Sequence, residues 1–237
     1  MQASNKTGGH RKVLAVPASE IEALYREPKF YCDEDTVNAS LCAIRNHGRF
    51  VDRDWAEQNP SVKQIVAYAI IRNSHKILCL RRSKKGNRKS LRLRYTLMLG
   101  GHVDDLDYGS GCPLEDCVVR EVAEEIGVIP SATPHVLGVV ADPSNEVGLL
   151  HLGVIYDFPI ELDHIVMHRN CDTAEFVNSG QVYRRPLLSP RSLREKAYRF
   201  DRWSELFIES EIAHLVFGES LSGPRQLRLP HIQEQQG

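Results

Sequence analysis

Three glutamates, Glu121, Glu124 and Glu125, lie within the run REVAEEIGV at spacings of i, i+3 and i+4. On a helix that spacing puts three carboxylates on one side. Val118, Val122 and Ile126 form a separate apolar stripe that can pack on a sheet. Like charges so placed repel by about 0.2–0.5 kcal/mol per exposed pair. A bound divalent cation would turn that repulsion into ligation. Hard ions such as Mg²⁺ take oxygen ligands, usually a few carboxylates plus substrate phosphates. A solvated acidic helix face is the alternative for a bare triplet, so the surroundings decide.

Those surroundings are a strand, a loop and a helix. LRYTLMLGG reads as a strand ending in Gly100-Gly101, and DDLDYGSGCP as a loop rich in Asp and Gly. Residues 113–127 read as the helix: Pro113 suits its first position, Glu115 and Asp116 suit its positive end, and Gly127 suits its stop. This order can bring a backbone carbonyl beside the carboxylates as a further oxygen ligand. Upstream, QIVAYAII and KILCLRR are β-rich runs joined by the turn RNSHK. Downstream, HVLGVVAD and GLLHLGVIYDF are two more strands, EFVNSG ends a further strand or turn, and a last helix runs from Asp201 to about Phe217. Near the start, VLAVPASEIEAL reads as a strand and then a helix capped by Ser19, and residues 37–58 as short helices or loops. Strands on both sides of one central helix predict an α/β fold of the α+β type, a mixed sandwich rather than an alternating βαβ chain. Residues 1–12 and 218–237 are expected to be flexible tails around one domain, 13–217, with its core at about 63–217.

The stretch from Gly101 to Val128 resembles the Nudix box. That pattern is Gly, five residues, Glu, seven residues, then Arg-Glu-U-x-Glu-Glu-x-Gly-U, with U a bulky aliphatic. REVAEEIGV matches the second half at every fixed position. The first half departs: Gly101 to Arg120 is five residues longer than the pattern, and counting back from Arg120 puts Cys112 at the first Glu position. NPSVKQIVAYAIIRN, KILCLRRSKKG, YTLMLGGHV and the WS of the last helix also resemble a subgroup of MutT-like phosphoesterases. The resemblance covers residues 45–217.

This resemblance implies a Nudix-type α/β/α sandwich with a mixed sheet and additional N-terminal elements. It implies Mg²⁺ or Mn²⁺ on Glu121, Glu124 and Glu125, with the Gly101 carbonyl as a further ligand. The family's first Glu supports the box through its Arg; here Asp116, or alternatively Glu115, is the expected partner of Arg120. Asp104, Asp105 and Asp107 read as a solvated loop, with added metal or water ligation as the other reading. The general base is a box Glu or a later carboxylate, Glu146 first and Glu175 second. Residues 81–94 carry eight Lys or Arg, and Arg81 and Arg82 are the expected phosphate contacts. His102 contacts phosphate or satisfies its own loop. Trp55 and Trp203 are expected to pack rather than stack on a base.

Bulk properties bound the partners. A formal net charge of -1 argues against a polycation that coats nucleic acid, so no stable nucleic-acid partner is expected. No run of 18 apolar residues suggests a membrane span. The N-terminus lacks the apolar stretch of a signal peptide. Six cysteines without a CxxC pair read as reduced thiols, and the expected compartment is the cytoplasm. The expected partner is an anionic phosphorylated small molecule, and the resemblance leaves a homodimer open. Cleavage of a phosphoanhydride in a nucleoside-diphosphate-linked or related substrate is the leading expectation. A catalytically silent nucleotide-binding or sensor protein is the alternative, and an isomerase on this fold a third.

Overall fold

The computed structural model describes residues 11–73, 76–82, 94–107, 109, 111–161, 171–178 and 200–210, without the side chains of 82 and 171–178. The expected tails therefore fall outside the described residues, except for Arg11 and Lys12, as do the turn residues 74–75, most of the basic run and the last helix beyond 210.

The chain is organised around strand β4, Val62–Asn73. One edge of β4 pairs along its length, in parallel, with β9, His151–Pro159. The other edge is shared by three antiparallel partners: β1, Lys12–Pro17, then β7, Met98–His102, then β5, Lys76–Arg82. Beyond β9 come β8, His135–Ala141, and β2, Lys29–Tyr31; beyond β5 comes β10, Cys171–Asn178. Two short strands, β3 at Arg49–Asp52 and β6 at Tyr95–Thr96, pair with β1 and β5. The sheet is mixed, as expected. A strand in its middle must be apolar on both faces, and β4 is: Ile65, Ala67, Ala69 and Ile71 face one core and Ile70 the other.

Helices cover both faces. On the first lie α1, Glu34–His47, and α3, Pro113–Ile126; on the second lies α5, Arg202–Ile208, which contributes Leu206 and Phe207 to the second core. Among the described residues two short helices remain, α2 at Arg53–Ala56 and α4 at Glu146–Leu150. The result is the expected α/β/α sandwich. Helix α3 ends as its sequence says it should: Gly127 takes φ 68°, and its N–H closes on the Ala123 carbonyl at 2.9 Å. The helix buries Leu114, Cys117, Val118, Val122 and Ile126. Each such aliphatic is worth about 1.5–3 kcal/mol when fully buried, which outweighs the repulsion among its glutamates.

Several local expectations change. Ser19 caps no α-helix: residues 18–24 form two 3₁₀ turns, because the first begins directly after Pro17 and has no side-chain cap. Residues 34–47 form a full helix, α1, capped by the Asp33 carboxylate on the Thr36 N–H. The expected strand GLLHLGVIYDF begins only at His151, since Asn145 caps α4 and makes Gly148–Leu150 helical. Trp203 packs as expected, edge-on to Tyr68 at 5.8 Å, whereas Trp55 is 48% exposed on α2.

Candidate metal and phosphate site

Helix α3 lies against β7 at the paired glycines. A Cβ on Gly100 would meet the Ala67 carbonyl at 2.1 Å, and one on Gly101 would meet Glu121 Oε1 at 2.6 Å. Only glycines let the strand end pass this close to both β4 and the helix. Glu121 is consequently more enclosed than Glu124, and burial raises its carboxyl above its ordinary value, opposed by its hydrogen bond and attraction to Arg120. Glu124 is 44% exposed, and Glu125 is half-buried. The Arg120 Nη1 lies 2.8 Å from Glu121 and 3.6 Å from Glu124, bridging two of the carboxylates.

What holds Arg120 is the main correction to the sequence reading. Asp107 grips the guanidinium with both oxygens, Nε–Oδ1 at 2.6 Å and Nη2–Oδ2 at 2.8 Å. Asp107 is only 2% exposed, so it is no part of a solvated loop. Its hydrogen bonds keep the Arg120 guanidinium well above its ordinary pKa. Asp104 adds a longer contact at 3.8 Å and ties the turn together, accepting from the Leu106 N–H at 3.0 Å. The expected partner Asp116 sits elsewhere: its Oδ2 points at Gly109, 3.8 Å from where a Cβ there would stand. Counted forward from Gly101, Asp107 occupies the box's first Glu position. The five extra residues therefore follow that position instead of preceding it. Cys112, which the backward count put there, is simply the N-cap residue of α3.

Neighbouring residues divide between the sheet faces. Gly101 faces Glu121, and His102 is paired with Val66 on the opposite face. There the His102 Nε2 lies 3.1 Å from the Nε2 of His151. His102 is thus directed away from the carboxylate helix, and the expected phosphate contact loses its geometric basis. Among the described residues, the group of three whose donor atoms lie within 4.8 Å of one another is Glu57, His102 and His151, not the α3 triplet. Neither Glu57 nor His151 stands out in the sequence. Their meeting depends on strand order, and no spacing signals it.

The remaining candidates are more scattered. Glu146 is exposed in the first turn of α4, which packs on β4 and β9 rather than on α3. Asp142, four residues earlier, is fully buried and accepts from Ser144 and Asn145, so the DPSNE turn is held from inside. Glu175 lies in β10 opposite Cys79. Arg81 stands 6.0 Å over the Tyr95 ring, with its Nε buried and unpartnered. Arg82 ends β5; its side chain and residues 83–93 of the basic run lie outside the described residues. Cys117 donates to the His102 carbonyl at 3.3 Å, and burial pushes its thiol up, so it stays protonated. No described helix is long and apolar enough to cross a membrane.

The NUDIX domain model matches residues 62–203, more than half of the chain. The chain belongs to the Nudix family. Among curated proteins it is similar to YmaB of Bacillus subtilis, 25% identical over 129 residues that cover 53% of this chain and 63% of YmaB. The match thus spans less than two thirds of that relative. Among solved structures it resembles Tm1382, grouped with the Nudix hydrolases, at 19% identity and a TM-score of 0.61, covering 87% of this chain and 98% of the other. That likeness extends the Nudix fold to the N-terminal elements, which lie outside the matched domain.

Proposed function

We propose that this Nudix protein is a divalent-metal-dependent pyrophosphohydrolase that splits a phosphoanhydride in a nucleoside-diphosphate-linked or related substrate. One observation carries the reading: Arg120, gripped by Asp107, holds Glu121 beside Gly101 and reaches Glu124. Asp107 gives Arg120 the carboxylate partner that the first half of the box, divergent by sequence, would otherwise lack. A missing first carboxylate and the long insertion would favour a silent binding protein; Asp107 answers the first of these.

The donor set fits a small hard cation. Glu121, Glu124, Glu125 and the Gly101 carbonyl offer only oxygen, and a carboxylate as enclosed as Glu121 gains from a compensating charge. These residues would hold Mg²⁺ or Mn²⁺. When bound, the ion supplies charge neutralisation at a phosphoryl oxygen and acidifies a water. The chain's own groups do the rest. Arg120 fixes the carboxylates so that no reorganisation is needed during reaction. Glu146 is the residue we assign to take the proton from the attacking water, its exposed place on the 142–150 turn leaving it free to approach a bound substrate. Arg81 and Arg82 are assigned to the substrate phosphates. The six cysteines, without a CxxC pair, suit the reducing cytoplasm we assign to the chain.

The experiment is a substrate panel of nucleoside triphosphates, ADP-ribose-like compounds, dinucleoside polyphosphates and non-nucleotide pyrophosphates, each with Mg²⁺, Mn²⁺ or chelator. Metal-dependent release of a nucleoside monophosphate or phosphate is expected from at least one class. Binding without release across the panel would replace the hydrolase with a sensor.

A further inference from the structure

On the sheet face away from α3, three distant parts of the chain bring metal-ligating groups together. Glu57 follows α2, His102 ends β7 and His151 begins β9, with one donor atom from each within 4.8 Å of the others. The two imidazole Nε2 atoms are 3.1 Å apart. Two nitrogens bound to one tetrahedral ion at about 2.0–2.1 Å would be about 3.3 Å apart. The pair is therefore already spaced to share an ion.

The proton positions agree. His151 Nδ1 lies 2.7 Å from the Val147 carbonyl, which can only accept. Nδ1 therefore carries hydrogen, and the neutral ring turns its Nε2 lone pair toward His102. A backbone carbonyl on the far nitrogen is the usual way a ligating histidine is fixed. His151 is 3% exposed, so its orientation is set by packing. Glu57 keeps about a third of its side chain exposed, which leaves a route in.

A second observation comes from Gln64. Its side chain is fully buried, and neither amide atom has a hydrogen-bond partner. Gln64 is paired in register with His151, so both side chains leave the sheet on the same face. An unsatisfied buried amide is uncommon in a native protein and calls for an ion, a water or a ligand beside it.

We infer that Glu57, His102 and His151 form a second metal site, for a first-row divalent ion of the zinc class, with the Gln64 amide at its border. Two imidazoles and one carboxylate favour such an ion over Mg²⁺, which prefers an all-oxygen shell. The site is independent of the hydrolase reading and lies across the sheet from its carboxylates. Its ion would pin the ends of α2 and β7 to the start of β9. Because His102 follows Gly101 directly, it would also fix the strand end that the α3 glutamates face.

The test uses the untagged full chain, stripped with chelator and then titrated with Zn²⁺ or Co²⁺ in excess Mg²⁺, which occupies the oxygen site. One equivalent of Co²⁺ should bind, with the intense visible absorption of a four-coordinate nitrogen and oxygen site. Zn²⁺ at about a hundred times its Kd should raise the melting temperature by about 5 °C or more. Glu57→Gln and His151→Gln should each weaken binding at least about tenfold, whereas Glu124→Gln should bind as wild type does. Glu57 is partly exposed, so Glu57→Gln decides the matter should His151→Gln fail to fold. The inference is overturned if wild type takes up no Co²⁺ or Zn²⁺ in Mg²⁺. It is equally overturned if uptake is lost in Glu124→Gln but kept in Glu57→Gln.

Discussion

Helices α1 and α3 are each 14 residues long and lie on the same side of the sheet. They are secured in opposite ways. α1 is held locally: Asp33 caps its start at 2.9 Å, and its buried side is thin, with Val37, Ser40 and Ile44. Ser40 is satisfied within the same neighbourhood, donating to the Thr36 carbonyl and accepting from Tyr25 at 2.7 Å. Burial pushes the Tyr25 hydroxyl up to about 12, so it remains a neutral donor. α3 has no side-chain cap. It is secured by a broad apolar stripe beneath and by the Asp107 clamp on Arg120 beside it. A helix that only supports the fold can be stabilised from its own ends. A helix that must gather like charges at a fixed place needs a partner from elsewhere in the chain.

The sharpest way to break this contrast is Asp107→Ala. It leaves Arg120 largely enclosed without its two-oxygen partner, and removing one member of a buried pair costs about 3 kcal/mol or more. Chemical unfolding should show that loss, and turnover should fall with it because Glu121 and Glu124 lose their orientation. Asp107→Glu, which supplies the residue of the box pattern, should recover most of both. If Asp107→Ala keeps full stability, the clamp has been misread.

Glu124→Gln sharpens the comparison from the other side. Glu124 is 44% exposed and only 3.6 Å from Arg120, so its removal should change apo stability by no more than a few tenths of a kcal/mol. Turnover should fall on the order of 10²-fold, equivalent to about 3 kcal/mol of barrier. Calorimetric Mg²⁺ or Mn²⁺ titration should weaken in parallel. Equal cation binding by the variant and wild type would return the triplet to a plain acidic surface.

Gly127→Ala tests the end of α3. Its φ of 68° is a left-handed conformation that costs an L-residue about 1–2 kcal/mol. The melting temperature should drop by several degrees, with substrate affinity unchanged, since the residue lies beyond the carboxylates. A loss of affinity at unchanged stability would mean that the helix end belongs to the binding surface.

The same contrast explains what the sequence could disclose. α3 was legible because Pro113, Gly127 and the Val118–Val122–Ile126 stripe are local signals, and the triplet follows from helical spacing alone. α1 was not legible: a buried serine interrupts its thin apolar side, and the tyrosine that satisfies it lies 15 residues away. Asp107 was hidden by a counting ambiguity. An insertion between two fixed points can be placed before or after the residue in question, and only the contact with Arg120 decides. The His102–His151 pair spans 49 residues and exists because β7 and β9 flank β4. No sequence period encodes that adjacency.

The smallest expected effect belongs to α1 and carries the pH signature of a capping carboxylate, which the uncapped start of α3 lacks. Asp33 accepts the Thr36 N–H, and that hydrogen bond holds its carboxyl below the ordinary value of 3.8. A carboxyl lowered on folding contributes stability that is present above its unfolded pKa and lost as pH falls through its folded value. Asp33→Ala should therefore cost about 1 kcal/mol near neutral pH, the usual worth of an N-cap. The difference from wild type should shrink as pH falls below 3.8. Asp33→Asn keeps a capping oxygen that does not titrate, so it should stay near wild type at neutral pH and gain on it in acid. Cys112→Ala, at the uncapped start of α3, should show no pH-dependent part from a cap. Urea unfolding of the three variants and wild type at pH values on both sides of 3.8 makes the comparison. A constant gap between Asp33→Ala and wild type over that range would mean that the Asp33 charge plays no part, and that α1, like α3, is held by its tertiary contacts.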